Sequence, residues 1–228
     1  MRRRDLFRKR LGEVTPHRRD RMESRGESRS GLATLAVQAG GRSSRMGRDK
    51  GLVELAGKPL VEHVIQRLAG LTQEVVITTN HPEAYLGFGH RTVGDRQPGA
   101  GALAGLATAL EAAHGDPVLI VACDMPFASR ALAGYMLALS AEAEAVVPRP
   151  GGEFEPLFAV YRRACLPSIE RALDEGEKRV ISFFPFVRLR AIEEAEARSI
   201  DAHPYCFFNV NTPADLAEAE RQLRHDQA

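Results

Sequence analysis

From Thr34 onward, apolar positions follow two alternating patterns. Short apolar runs read as buried strands, and longer stretches carry apolar residues at helical spacing. Leu35–Gln38, Val75–Thr79 and Val118–Cys123 are of the first kind. The last is continuously apolar, as a central parallel strand covered on both faces requires. Between these runs, Leu60, Val61, Val64, Ile65 and Leu68 share one face of a helix predicted over Leu60–Leu68. Ala102–Ala113 and Ser129–Leu139 predict two more helices, and Arg91–Val93 a short strand. This β-α-β-α rhythm predicts an α/β fold with a central, mostly parallel sheet and helices on both faces.

The second half is less regular. Ala145–Val147 and Pro156–Tyr161 predict strands, and Arg163–Leu173 a helix. Arg179–Phe184, Phe186–Leu189 and Phe207–Val210 predict further strands. The last helix is marked by Thr212 as N-cap, Pro213 at the first helical position and Asp215 in the first turn. No internal repeat or second composition regime interrupts residues 32–228, which predict a single domain. Residues 1–31 are rich in Arg, Ser, Glu and Gly and poor in core formers, so they predict a disordered basic arm. That arm reads as a solvated tail, as sequence upstream of a start at Met22, or as a contact for RNA or acidic partners.

Composition alters this picture in two places. The net charge is only +1, but residues 1–30 hold eleven Lys or Arg against five Asp or Glu. The rest carries 20 basic and 25 acidic side chains, so basic character belongs to the arm and no nucleic acid is expected at the domain. Cys123, Cys165 and Cys206 are widely spaced without a C-x-x-C pair, which suggests neither a disulfide framework nor a zinc knuckle. No apolar run approaches the roughly 20 residues that span a bilayer, and no apolar h-region follows the N-terminal arginines. A cytoplasmic chain with no membrane partner is expected.

Candidate chemistry collects at predicted strand ends, where open α/β sheets bind ligands. The first strand stops at Gly40-Gly41, and Arg42, Arg45, Arg48 and Lys50 follow. Glycine lets a phosphate approach the backbone, and the cations supply charge-assisted donors. The alternative is an ordinary turn on a basic surface. Asn80 follows the second strand and Asp124 the strand Val118–Cys123. Opposite a phosphate loop, Asp124 reads as a Mg²⁺ ligand or as a turn and capping residue. Asp95 reads as a base or ribose contact, or as a loop residue beside Arg96. Gly41 and Gly47 enclose five residues and Lys50 comes late, so no Walker A loop is present. Gly99, Gly101 and Gly105 miss the dinucleotide spacing and read as a tight loop that admits a ligand close to the backbone. The histidines lack metal-ligand spacing, and no G-x-S-x-G occurs.

Together these stretches resemble the molybdenum cofactor guanylyltransferase family of nucleotidyltransferases. The resemblance runs from Ala39-Gly40-Gly41-Arg42 to Asp49-Lys50-Gly51 and continues through Thr78-Thr79-Asn80 and Pro98-Gly99. It extends over Gly101–Gly105, Cys123-Asp124-Met125-Pro126, Pro156–Ala159 and Phe208–Pro213 in the family's order. It implies a Rossmann-like nucleotidyltransferase fold and transfer of GMP from GTP to molybdenum-loaded molybdopterin. By motif position it implies nucleotide contacts from Gln38, Ala39 and Gly40, and phosphate binding by Lys50. Asn80 and Asp95 are implied for guanosine, Asp124 for Mg²⁺ and the α-phosphate region, and Asn209 and Asn211 for the pterin side. Arg45 joins Lys50 as a cation for departing pyrophosphate. Transient contacts with cofactor-synthesis proteins and acceptor molybdoenzymes are also implied. Three departures stand out: Gln38 replaces the usual Leu, one residue is missing before Asp49-Lys50, and Ala102 replaces a common Pro. The competing expectations are a cytidylyltransferase, whose relatives usually carry Ala at the place of Gly40, a sugar-1-phosphate nucleotidyltransferase, and a non-catalytic nucleotide-binding module.

Overall fold

The structure, a computed structural model, describes residues 30–40, 49–97 and 99–226. Of the expected arm at residues 1–31, residues 1–29 lie outside the described residues, as does the loop holding Arg42, Arg45 and Arg48. Ser30 and Gly31 are not arm but the start of the first strand, where Ser30 pairs with Asp116. In chain order the elements begin with β1 (Ser30–Gln38), the small hairpin β2 (Glu54–Leu55) and β3 (Lys58–Pro59), and α1 (Leu60–Leu68). Next come β4 (Glu74–Thr79), β5 (Arg91–Gly94), α2 (Ala102–Ala112), β6 (Asp116–Ala122) and α3 (Arg130–Leu139). The remainder is β7 (Ala145–Arg149), β8 (Phe158–Tyr161), α4 (Leu166–Asp174), β9 (Leu189–Glu193), α5 (Glu194–Ile200) and α6 (Pro213–Asp226).

Seven strands form one sheet in the order β5-β4-β1-β6-β8-β7-β9. The strands β5, β4, β1 and β6 run parallel, and β8 enters antiparallel to both β6 and β7. The alternation of side chains along a strand divides the core between the two faces. Leu35, Val37, Leu119 and Val121 join α1 and α3 residues such as Val64 and Leu132. Ala36, Val118 and Ile120 join Leu103 and Leu106 of α2 and Ile169 of α4 on the other face. All five apolar positions of α1 are buried, as their spacing predicts.

Three predicted strands are corrected. Arg179–Phe184 is not a strand: Val180–Phe186 winds as a 3₁₀ segment that buries Val180, Phe183 and Phe184. Those burials fall at i, i+3 and i+4, a helical period, and Pro185 has no N–H to give to a ladder. The strand expected at Phe186–Leu189 begins instead at Leu189 and pairs with β7 through Glu193. Phe207–Val210 forms no strand; the Phe208 amide bonds back to Tyr205 and the Val210 amide reaches the Asp124 carbonyl. The 3₁₀ turn Arg163–Cys165 leads into α4, so the helix predicted there starts in a tighter form.

The end of the sheet away from the strand carboxyl ends is closed by one polar cluster. Thr34 is fully buried, and its hydroxyl donates to Glu74 at 2.7 Å while accepting from the Gly115 amide at 3.0 Å. Burial pushes the Glu74 carboxyl up, but the His114 amide, the Thr34 hydroxyl and the charges of His114 and Arg91 hold it below the usual range. Replacing Thr34→Val keeps the volume but leaves the Gly115 N–H unpaired. Urea unfolding should show a loss of about 1–3 kcal/mol; an unchanged midpoint would contradict this role.

Candidate active site

The hydrogen-bond ladder of the sheet continues past its strand ends and fixes the loops that bear the polar residues. The Ala39 amide bonds the Thr78 carbonyl at 2.7 Å, and the Cys123 amide bonds the Gln38 carbonyl at 3.0 Å. The Asp95 amide reaches the Thr79 carbonyl at 3.2 Å. The residues expected from strand ends β1, β4, β5 and β6 are thereby brought to one edge of the sheet.

Two cavities open on this edge and share Gln38, Gly40 and Leu157 as their common wall. The larger, of about 460 Å³, lies over the start of α2 and is lined by Asn80, Asp95, Gly101, Gly105 and Lys178. The smaller, of about 300 Å³, is lined by Lys50, Asp124, Glu155 and Asn209. Of the predicted site residues that are described, all line one cavity or the other except Asn211, which enters through Lys50. Arg45 lies outside the described residues.

In the larger cavity the backbone has little room to spare. A Cβ on Gly40 would stand 2.9 Å from Oδ2 of Asp95, so glycine is what allows that carboxylate its place. Gly101 takes φ of 97° at the start of α2, a left-handed conformation that favours glycine. The guanidinium of Arg96 pairs with Glu111, not with Asp95. Burial pushes the Asp95 carboxyl above its ordinary value.

In the smaller cavity the positive charge comes from a short turn. Asp49 caps the 3₁₀ segment Lys50–Leu52 by accepting from the Gly51 amide, and the buried Tyr85 hydroxyl donates to the same carboxylate. The turn aims Lys50 at Asp124 Oδ2, 2.7 Å away, and at Asn211 Oδ1, 2.6 Å away. Asp215 accepts from the Asn211 and Thr212 amides, and Thr212 caps α6 as predicted. Asp124 does not cap α3, because Ser129 does so through the Leu132 amide. Its side chain is therefore turned toward Lys50, not spent on a turn.

Glu155, Lys178 and Tyr85 were not among the predicted site residues. Glu155 precedes β8, and because β8 is antiparallel to β6, the start of β8 lies beside the carboxyl end of β6. A rule that searches only after strands misses it. Burial, then the charge of Asp124, pushes the Glu155 carboxyl up, while the Leu157 amide and the Asn209 side chain oppose this. Lys178 follows α4, and its carbonyl accepts from the Leu103 amide at 3.3 Å. Only the charged types of Glu155 and Lys178 gave any signal in the sequence, and Tyr85 gave none.

The donor set of the smaller chamber suits a divalent cation. Asp124 and Glu155 offer hard oxygen ligands in one chamber, and Asp124 already holds a positive charge in the form of Lys50. Among the described residues no three His, Cys, Asp or Glu gather around a closed metal cage. The residues fit an ion that takes one or two carboxylates and completes its shell with phosphate oxygens and water, the habit of Mg²⁺.

A sheet of this order, with a cation turn and a carboxylate beyond its strand ends, has the architecture of the α/β nucleotidyltransferases. Comparisons agree: residues 35–192 match the model of the MobA-like NTP transferase domain. The probable molybdenum cofactor guanylyltransferase of Pelotomaculum thermopropionicum is 41% identical over 82% of this chain and 91% of its own. The molybdenum cofactor guanylyltransferase of Vibrio parahaemolyticus is 32% identical over 80% and 92%. The crystal structure of molybdopterin-guanine dinucleotide biosynthesis protein A from Archaeoglobus fulgidus superposes with a TM-score of 0.73 at 27% identity. That match covers 84% of this chain and 99% of the other. The chain belongs to the MobA-like molybdenum cofactor guanylyltransferase family of nucleotidyltransferases.

The raised Asp95 carboxyl carries a stability consequence. Compared with the unfolded chain, burial makes the ionised form less favourable in the fold, so the stability that is complete at acid pH is lost as pH rises through the elevated folded value. Asp95→Asn should therefore raise the Tm of the nucleotide-free protein by a few degrees at neutral pH, and the gap should close on acidification. A Tm gap that widens toward acid pH would contradict the burial.

Proposed function

We propose that this chain transfers GMP from GTP to molybdopterin carrying molybdenum, forming molybdopterin guanine dinucleotide and releasing pyrophosphate. The observation that carries this reading is the pair of adjoining chambers divided at Gln38–Gly40. One presents acceptors from Asn80 and Asp95, and the other presents Lys50 and Asp124. A nucleoside triphosphate laid across that wall would put its base in the first and its phosphates in the second.

Guanine offers N1–H and N2–H donors, and the Asp95 carboxylate with Asn80 supplies acceptors for them. Gly40 supports the same choice. An alanine there would displace Asp95, since its Cβ would meet the carboxylate oxygen. The backbone of Ala39 and Gly40 would lie against the ribose and α-phosphate, with no side chain to bar the approach.

The chemistry is attack by a terminal phosphate oxygen of the acceptor on the α-phosphorus of GTP. The new P–O bond forms as the bond to the α–β bridging oxygen breaks, and pyrophosphate leaves with the electron pair. Such a transfer depends on in-line positioning and charge neutralisation more than on a protein nucleophile. Bound at Asp124, Mg²⁺ would supply neutralising charge at the phosphates. Lys50 would hold the departing pyrophosphate, with Arg45 from the glycine-rich loop as a second cation. Asn211 orients the Lys50 ammonium, and Asn209, beside Glu155, would face the incoming pterin phosphate. Our reading includes a cytoplasmic reaction with transient hand-over to acceptor molybdoenzymes, as the family resemblance implies. No helix among the described residues is long and apolar enough to cross a membrane.

Pyrophosphate release with GTP, Mg²⁺ and molybdenum-loaded molybdopterin tests the proposal. The wild type should release pyrophosphate with GTP and not with CTP. Asp124→Asn keeps the shape and the Lys50 contact, and should reduce turnover at least about a hundredfold with little change in Tm. Release with CTP alone, or a fully active Asp124→Asn enzyme, would overturn the respective half of the reading.

A further inference from the structure

Gln38 ends β1 on the face that carries α2, two positions beyond the buried Ala36. Only 7% of the residue is exposed. Its amide lies against Gly105, where a Cβ would stand 3.0 Å from Nε2, so Gly105 leaves the space that the amide fills. That Nε2 is buried and has no hydrogen-bond partner. Among the described residues two other buried side-chain atoms share this condition, Asn80 Oδ1 and Asp95 Oδ1. All three residues line the larger chamber.

An unpaired buried polar atom is costly, because it has given up its hydrogen bond to water and gained none in return. Three of them in one cavity point to a ligand that brings the missing partners. The set comprises one donor and two acceptors. Guanine presents the complement, the O6 acceptor beside the N1–H and N2–H donors. Cytosine presents the reverse, an N4–H donor beside two acceptors, and would set donor against donor at Gln38.

We propose that the Gln38 side-chain amide is a specificity-determining contact, donating from Nε2 to O6 of the guanine while Asn80 and Asp95 accept from its N1–H and N2–H edge. The proposal deepens the guanylyl-transfer reading and rests on it. The Gln38 carbonyl also accepts from the Cys123 amide, one residue before Asp124. The group that reads the base and the carboxylate at the phosphates are therefore held by the same ladder.

Gln38→Met keeps the bulk of the side chain and removes the donor. Calorimetric titrations with GTP, ITP, CTP and 6-thio-GTP, whose sulfur is a weaker acceptor than O6, separate the contacts. The variant should bind GTP and ITP about tenfold more weakly than the wild type and 6-thio-GTP about as well as the wild type does. A merely structural role would weaken all the nucleotides together. Equal losses for GTP and 6-thio-GTP, or no loss for GTP, would overturn the proposal. Should the variant not fold, the wild type alone decides: tighter binding of GTP than of 6-thio-GTP supports the contact, and equal binding overturns it. A wild-type preference for CTP over GTP would instead overturn the guanylyl reading, and this proposal with it.

Discussion

The contact between Lys50 and Asp124 ties together distant parts of the chain at the site. Lys50 comes from a short turn after the glycine-rich loop, Asp124 from the end of a central strand, and Asn211 from the lead into the last helix. With side-chain exposures of 26% and 13%, the two charges are mostly removed from water. Partial burial strengthens their attraction and gives it direction. The surrounding structure is arranged to keep that geometry. Tyr85 and Asp49 hold the turn, Asp215 and Thr212 hold the approach to α6, and the Val210 amide grips the Asp124 carbonyl. A phosphate chain entering this chamber would meet a cation already in place.

The neighbouring chamber follows the opposite logic. In the smaller chamber Lys50 and Asp124 neutralise each other, while among the described residues the larger one leaves three buried polar atoms without partners. Such atoms oppose stability, and the buried Asp95 carboxyl shows the same strain in its raised affinity for a proton. Sites that must discriminate between ligands accept this kind of cost, because a ligand that cannot satisfy the groups is rejected. On the proposed reading the two chambers divide the work: one would neutralise phosphate, and the other would read hydrogen-bond pattern.

Much of this was legible in the chain. The continuous apolar run of β6 and the five-position stripe of α1 follow directly from their periods, and Gln38, Asn80 and Asp124 stand where parallel strands end. The failures have physical causes. Val180–Phe186 is as apolar as a strand but buries its residues at helical spacing. The edge strand β9 carries Arg190 and Glu193, which mask its alternation, and α5 buries only Ala197. Glu155 escaped because an antiparallel strand reverses which end faces the ligand. Asp95 could be suspected from the sequence, but its unpaired oxygen and its closeness to Gly40 are tertiary facts that no local pattern encodes.

Guanylyl transfer at this edge of the sheet requires a nucleotide lying across the wall at Gln38–Gly40, and a crystal structure of the complex with GTP and Mn²⁺ addresses that most directly. The guanine should occupy the larger chamber with its N1 and N2 toward Asp95 and Asn80. An anomalous manganese peak should lie against the Asp124 carboxylate, with Lys50 on the terminal phosphates. A guanine seated in the smaller chamber, or a metal peak remote from Asp124, would contradict it.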